Sequence, residues 1–284
     1  MSAVSFGVAR VFAGIGIQRV KPIPGTIISL IFGWPLALAA VLIFQTDALF
    51  SVTPRMVTWF AVIGILSFAV GRGLTFLGIR HIGAARATTL YGTHPLFVMA
   101  LAILLLGERV SVALVIGVML IIGGITVLLF DREADKRLLP GANRVMGYVL
   151  SLVSAISYGC NAVIIKWVVS GMAHPMVTVT FSLIFGALAL SVFGGRDVVS
   201  SIKNNWRATG YLTLSGVAST VGAMAIYIAL SMAPAVMVSP LGATSPLFTL
   251  LGTYLFMRRL EKVTYHVVLG CFMVVAGGIL VTTA

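Results

Sequence analysis

Long apolar runs alternate with short polar breaks along this chain, and within each run apolarity is continuous, not alternating residue by residue. A helix needs about 20 apolar residues to cross the hydrocarbon of a bilayer. Ten runs of that order follow one another, at about 3–19, 26–45, 56–79, 84–106, 111–130, 146–168, 173–194, 208–231, 235–257 and 263–282. Continuous apolarity argues against barrel strands, which would alternate. The pattern predicts an all-α integral membrane protein with ten transmembrane helices. The first run flows into helix-like sequence without a small-residue cleavage site, and it is read as a weak span that is retained, not as a signal peptide.

The runs repeat. Val70-Gly71 through Phe97 matches Val221-Gly222 through Phe248 without a gap, at an offset of 151. Ser29-Leu30-Ile31-Phe32-Gly33 recurs letter for letter as Ser182-Leu183-Ile184-Phe185-Gly186, and Ser5-Phe6-Gly7 is echoed by Ser157-Tyr158-Gly159. Gly117 with Gly123-Gly124 matches Gly270 with Gly277-Gly278. The longest polar break, Asp131 to Arg144, contains Pro140-Gly141 and is the natural seam. The expected division is a first five-helix repeat at 1–130, an inter-repeat loop at 131–145 and a second five-helix repeat at 146–284. Five spans is an odd number, so the second copy enters the membrane from the opposite side. Two inverted-topology repeats imply a pseudo-two-fold axis in the membrane plane, the build of many secondary transporters.

Composition narrows the class further. The 284 residues are 60% hydrophobic and only 9% charged, against roughly 25% charged in a soluble domain; mean hydropathy is +1.11. The net charge of +12 is spread over short loops, not gathered on one face, which argues against nucleic acid. In a membrane protein such charge sets orientation. Arg19, Lys21, Arg80, Arg132, Lys136, Arg137, Arg144, Arg196, Lys203, Arg207, Arg258, Arg259 and Lys262 fall on one side, Arg55 and Arg109 on the other. That bias puts both termini outside. Cys160 and Cys271 lie inside apolar runs and form neither a disulfide framework nor a metal-binding pair.

The Pro-containing runs carry a family resemblance. Gly92-Thr93-His94-Pro95-Leu96-Phe97 leads to Leu106-Gly107-Glu108-Arg109-Val110-Ser111, and Ser245-Pro246-Leu247-Phe248 leads to Glu261-Lys262 with two extra residues between. Tyr158-Gly159-Cys160-Asn161 followed by Lys166 resembles the opening of the same unit, which Phe6-Gly7 matches without a lysine in register. The chain resembles an EamA-type transporter of the drug/metabolite transporter superfamily over essentially its whole length. The resemblance implies ten helices and transport of small metabolites, often outward, with both termini in the cytoplasm, opposite to the charge bias. Orientation stays open.

Polar groups at membrane depth are costly and mark candidate sites. Arg10, Arg72, Arg86 and Lys166 fall inside the runs, while no Asp or Glu does. The small multidrug resistance proteins, relatives in the resemblance, use a membrane-depth carboxylate to exchange a lipophilic cation for a proton. Here the intramembrane charges are basic, and Arg suits a carboxylate or phosphate. Arg72 lies deep in the third run. Arg86 and Lys166 lie near run ends, where snorkelling to the interface is the competing reading, and the depth of Arg10 is ambiguous.

The expected substrate-binding set is Arg72, Tyr91, His94, Tyr158, Asn161, Lys166, Tyr227 and Ser245, in a cavity between the first, third, fourth, sixth, eighth and ninth spans. Aromatic rings with a polar tip suit a lined cavity or plain helix packing. Asn161 needs a hydrogen-bond partner. His94 is either a proton carrier or is packed against a neighbouring carbonyl. Pro95 and Pro246 are read as mid-helix kinks that free backbone carbonyls. The paired glycines of the fifth and tenth spans allow close helix approach, either to one another or at a dimer face.

The function this supports is a secondary permease or exporter of small metabolites in the cytoplasmic (inner) membrane, working by alternating access. Its cargo would be anionic or zwitterionic, of amino-acid or organic-acid type. No ATP-binding loop is present, so a coupling ion or an exchanged metabolite would drive it. No cofactor, metal or nucleic acid is expected, and either a monomer or a homodimer would serve. The alternative is a lipophilic drug or lipid-linked carrier translocase on the same scaffold. An integral membrane enzyme is more remote, since the His-Glu-x-x-His and Gly-x-Ser-x-Gly patterns are absent.

Overall fold

Proline, asparagine and threonine place the helix starts. Pro22, Pro54 and Pro175 sit in the first turn of their helices, where a missing N–H costs nothing. The Asn143 side chain accepts from the Met146 N–H at 3.1 Å, and the Thr53 hydroxyl accepts from that of Met56 at 3.4 Å. The structure, a computed structural model, describes residues 1–106, 111–130, 143–233, 244–257 and 263–283, with 235, 238 and 242. The Gly107–Val110 stretch, the loop at 131–142 and the Arg258–Lys262 stretch, with their expected motifs, lie outside the described residues.

The described residues form, in chain order, thirteen helices: α1 (Ser2–Gly16), α2 (Pro22–Phe44), α3 (Thr46–Phe50), α4 (Pro54–Ile82), α5 (Ala84–Tyr91), α6 (His94–Leu106), α7 (Val112–Phe130), α8 (Arg144–Gly171), α9 (Pro175–Gly194), α10 (Arg196–Asn204), α11 (Trp206–Met232), α12 (Ser245–Phe256) and α13 (Tyr265–Thr283). No strand occurs among the described residues. Among the described residues five helices, α2, α4, α8, α9 and α11, are long and apolar enough to cross a membrane. The apolar helices Ser2–Gly16, Val115–Leu128, Ser245–Phe256 and Tyr265–Val281 are shorter. The chain is a multi-pass integral membrane protein of all-helical architecture, built from two repeats.

Two expected continuous helices are interrupted. The fourth run is not a kinked helix: α5 ends at Tyr91, Gly92-Thr93 form a turn, and α6 begins at His94. Pro95 therefore occupies the first turn of a new helix, and Pro246 does the same after Thr244. A proline inside a helix loses a hydrogen bond and clashes with the preceding turn, and restarting the helix at the proline avoids both. The two breaks meet, since a Cβ on Gly92 would stand 3.0 Å from the Pro246 ring. The third run carries a π-helical segment, Ile65–Arg72, inside α4. Hydropathy does not see such a change of backbone register.

The duplication is visible in the packing. Against α1 lie α11 and α12, and against α8 lie α4, α5 and α6, as exchange of the two repeats requires. The contacts themselves recur. A Cβ on Gly7 would meet the Cβ of Phe248 at 2.5 Å, and one on Gly159 would meet that of Phe97 at 2.6 Å. In the repeated Ser-Leu-Ile-Phe-Gly segments, Gly33 faces the Gly216 carbonyl oxygen at 2.8 Å and Gly186 faces that of Gly64 at 2.9 Å, measured in the same way. Such contacts tolerate only glycine and let helix backbones approach closely.

The fifth and tenth spans of the sequence reading pack on each other as α7 and α13. A Cβ on Gly117 would stand 2.8 Å from the Gly277 carbonyl oxygen, and one on Gly124 would stand 2.8 Å from that of Gly270. The paired glycines thus serve an intrachain seam. At one end of the bundle Lys21 donates to Asp197 at 2.8 Å, tying the start of α2 to α10. Both side chains are largely exposed, so solvent screens the pair and it adds little to stability.

Candidate functional site

The site is assembled along a seam between α4 and α8. Polar and small residues of α8 fall at Ser151, Ser154, Tyr158 and Asn161, spacings of three and four that keep them on one face. They meet Gly78, Thr75, Gly71 and Ser67 of α4 in four successive layers. The Thr75 and Ser154 hydroxyls lie 2.7 Å apart, and both reach the Gly71 carbonyl oxygen, at 2.9 and 2.8 Å. Ser157 donates to the Leu66 carbonyl oxygen at 2.8 Å. Hydroxyls from α8 thus reach two carbonyls of the π segment. Asn161 Nδ2 donates to Ser67 Oγ, which lies 3.5 Å from the Tyr227 hydroxyl.

Two cavities open beside this seam. The larger, about 680 Å³ with its mouth included, lies among α4, α8, α11 and the α5–α6 break, and its walls include Phe68, Tyr91, His94, Ile165, Ile226 and Tyr227. The smaller, about 330 Å³, is walled by Ala9, Arg10, Thr75, Phe76, Ser215 and Ser219. Phe6, Arg72 and Tyr158 line both and form the layer between them. No carboxylate lines either cavity among the described residues.

The two arginines differ in their surroundings. Arg10 lies with its guanidinium carbon 3.9 Å above the Tyr91 ring, and its Nη1 donates to Ser245 Oγ at 2.8 Å. Tyr91 is fixed in turn, edge-on to Tyr158 at 4.9 Å between ring centroids. Arg72 is 5% exposed and stands over Phe68 at 4.9 Å, beside the Tyr158 side chain. Its Nη1 is buried and has no hydrogen-bond partner among the described residues. A buried, unpaired donor on a permanent cation is costly, and the arginine that carries it lines both cavities.

Of the expected residues, Arg72, Tyr91, His94, Tyr158 and Tyr227 line the larger cavity. Asn161 sits one layer behind it through Ser67, and Ser245 supports Arg10. His94 Nδ1 lies 3.1 Å from the Tyr91 carbonyl oxygen, the contact of the packing alternative. Lys166 is half-buried, next to the exposed Trp167, and lines neither cavity. Arg86 does not snorkel: it is 1% exposed. Its short helix α5 starts after a tight turn at Gly83, φ 86°, and packs among α4, α8, α12 and α13. Among the described residues no three His, Cys, Asp or Glu side chains gather to hold a metal.

Phe6, Ser67 and Phe68 were not anticipated. The signal for Ser67 was the polar face of α8, which needed a polar partner. Ser67→Ala leaves the Asn161 amide without an acceptor. It is expected to cost about 1–3 kcal/mol, read as a lower midpoint in thermal unfolding of the detergent-solubilised protein. Lys166→Ala is expected to leave transport within about twofold of wild type, because surface changes remote from a site are near neutral; a proteoliposome flux assay checks it.

A duplicated apolar bundle with a cavity lined by both copies defines a class, the multi-pass membrane transporters of small molecules. The EamA-like transporter family model matches residues 1–130 and 145–283, and the chain belongs to that family. Members of the family are transporters of small molecules, not enzymes. A solved structure described only as "Crystal structure of protein" is similar at 20% identity with a TM-score of 0.62, over 99% of this chain and 96% of that one. That likeness concerns the fold alone. No curated protein matches the chain.

Proposed function

We propose that the protein is a secondary transporter of anionic or zwitterionic small metabolites, moving them across the cytoplasmic (inner) membrane by alternating access. In this reading ten transmembrane helices form two inverted-topology repeats, 1–130 and 146–284, joined by the loop at 131–145. The observation that carries it is the buried Arg72 guanidinium, with a donor unused by the protein, in cavity walls that hold no carboxylate among the described residues. A carboxylate or phosphate supplies both the charge and the acceptor that Arg72 lacks. A lipophilic cation would meet two arginines and no counter-charge.

A lipophilic cargo without charge is the second reading, favoured by the apolar wall of Ile165, Ile226, Leu230 and Val238. Flux into proteoliposomes separates them. The panel is amino acids, organic acids, phosphorylated metabolites and lipophilic cations. Saturable uptake of acids, phosphates or zwitterions supports the proposal. With neutral lipophiles added to the panel, uptake confined to them or to lipophilic cations contradicts it.

A further inference from the structure

The two cavities are images of one another under the internal duplication, and the chemistry of the image has been broken in one direction. At the repeat offsets of 151 and 152, Thr75 and Phe76 of the smaller cavity correspond to Ile226 and Tyr227 of the larger. Phe6 and Tyr158 correspond to each other and line both. Each rests on an equivalent glycine: a Cβ on Gly71 would lie 2.8 Å from the Tyr158 ring, and one on Gly222 would lie 3.2 Å from the Phe6 ring. The cavities are therefore two halves of one pseudo-symmetric space.

The arginines have no counterparts. Arg10 corresponds to Ala162 and Arg72 to Ala223, and both alanines line the larger half. The larger half keeps the hydroxyls of Ser67, Tyr91 and Tyr227, but its branched aliphatic residues have no match in the smaller. Ser215, Ser219 and Thr75 line the smaller half with Arg10, while Ile226, Leu230 and Val238 line the larger. Along α11 the order is Ser215, Ser219, Ala223, Ile226, Leu230, one turn apart or nearly so. This helix is long enough to cross the membrane, so the polar and apolar halves lie at different depths, with Arg72 between them.

From this graded space we infer that the cargo is an amphipathic monoanion: one carboxylate on an aromatic or aliphatic body, with no ammonium group. The inference rests on the anionic-cargo reading above and makes it narrower. The carboxylate pairs with the Arg72 guanidinium between the two halves, and the apolar body lies in the larger half among Phe68, Ile226 and Leu230. A free ammonium would be buried beside two guanidiniums without a carboxylate partner, which is strongly unfavourable. A second carboxylate would fall in the apolar half against Ala162 and Ala223.

Binding of four probes to the detergent-purified full chain tests this. Three share a phenyl body: 3-phenylpropionate carries only a carboxylate, phenylalanine a carboxylate and an ammonium, and 2-phenylethylamine only an ammonium. Acetate carries the carboxylate without the body. The expected result is that 3-phenylpropionate binds about tenfold or more tighter than phenylalanine and about thirtyfold or more tighter than acetate. Arg72→Gln is expected to lose about tenfold or more of the 3-phenylpropionate affinity, and Arg72→Lys to restore part of it, which separates loss of charge from loss of fold. Ile226→Asn is expected to narrow the gap between 3-phenylpropionate and acetate. Phenylalanine binding best, with loss in Arg72→Gln, overturns this inference and leaves the anionic-or-zwitterionic reading standing. 2-Phenylethylamine binding best overturns both. Acetate matching 3-phenylpropionate, affinity unchanged in Arg72→Gln, or no binding by any of the four also overturns the inference.

Discussion

Arg72→Ala is expected to lower transport of an acidic cargo by about 10- to 100-fold while leaving the yield of folded protein unchanged. A hydrogen bond to a charged group is worth about 1.5–3 kcal/mol, and each 1.4 kcal/mol is about tenfold. Folding should not suffer by the same amount, because the buried Nη1 has no hydrogen-bond partner among the described residues. Its removal relieves a buried charge that no carboxylate offsets among the described residues, and forfeits the stacking on Phe68 and the hydrogen-bonding contact with Tyr158. Uptake in proteoliposomes, normalised to the monodisperse fraction in size-exclusion chromatography, measures both quantities. Unchanged uptake would show that Arg72 does not bind cargo.

Gly270→Val is expected to damage the fold at the seam between α7 and α13. A Cβ at this position would stand 2.9 Å from both the Gly124 carbonyl oxygen and Leu128 Cγ. The obstacle includes backbone of the facing helix α7, which cannot turn aside as a side chain can. Overpacking of this kind costs about 1–3 kcal/mol, and the second γ-carbon of valine adds to it. Gly210→Ala in α11 is the control, because nothing lies within 4 Å of the Cβ it would carry. That change is expected to be neutral or to stabilise by about 0.5–1 kcal/mol through helix propensity. Thermal unfolding midpoints of the two variants in one detergent should therefore move apart. A Gly270→Val midpoint equal to that of wild type would mean that α7 and α13 do not pack as described.

The helical bundle was legible because the bilayer sets a length that apolar runs either reach or fail to reach. The interruptions were less so. The Gly92-Thr93-His94-Pro95 sequence carried the information for a break between α5 and α6, but hydropathy is blind to it, since apart from Arg86 the residues on either side are apolar, aromatic or small. The π segment at Ile65–Arg72 leaves no mark in hydropathy either. It depends on Ser154 and Ser157, which reach its carbonyls from another helix. In the candidate site, Arg72, Tyr91, Tyr158 and Tyr227 could be singled out because charge and phenol hydroxyls are rare at that depth. Ser67 was harder to single out, because a serine in an apolar helix usually satisfies itself on its own backbone and only the polar face of α8 pointed to it. Lys166 shares α8 with Tyr158 and Asn161 yet lies off their face, a difference of helical phase that composition does not show. Arg10 gains its place only once Tyr91 of α5 and Ser245 of α12 are brought to it.

Cysteine accessibility tests the central claim, that one cargo site is reached alternately from two sides. Ser219→Cys places a thiol in the smaller half and Ile226→Cys one in the larger, with native Cys160 and Cys271 replaced by alanine. Membrane-impermeant thiol reagents are applied to sealed vesicles from each side, with and without a transported acid. The account predicts that the two positions are labelled from opposite sides and that cargo raises the rate at one while lowering it at the other. Labelling of both from the same side, with rates that rise and fall together, would contradict it.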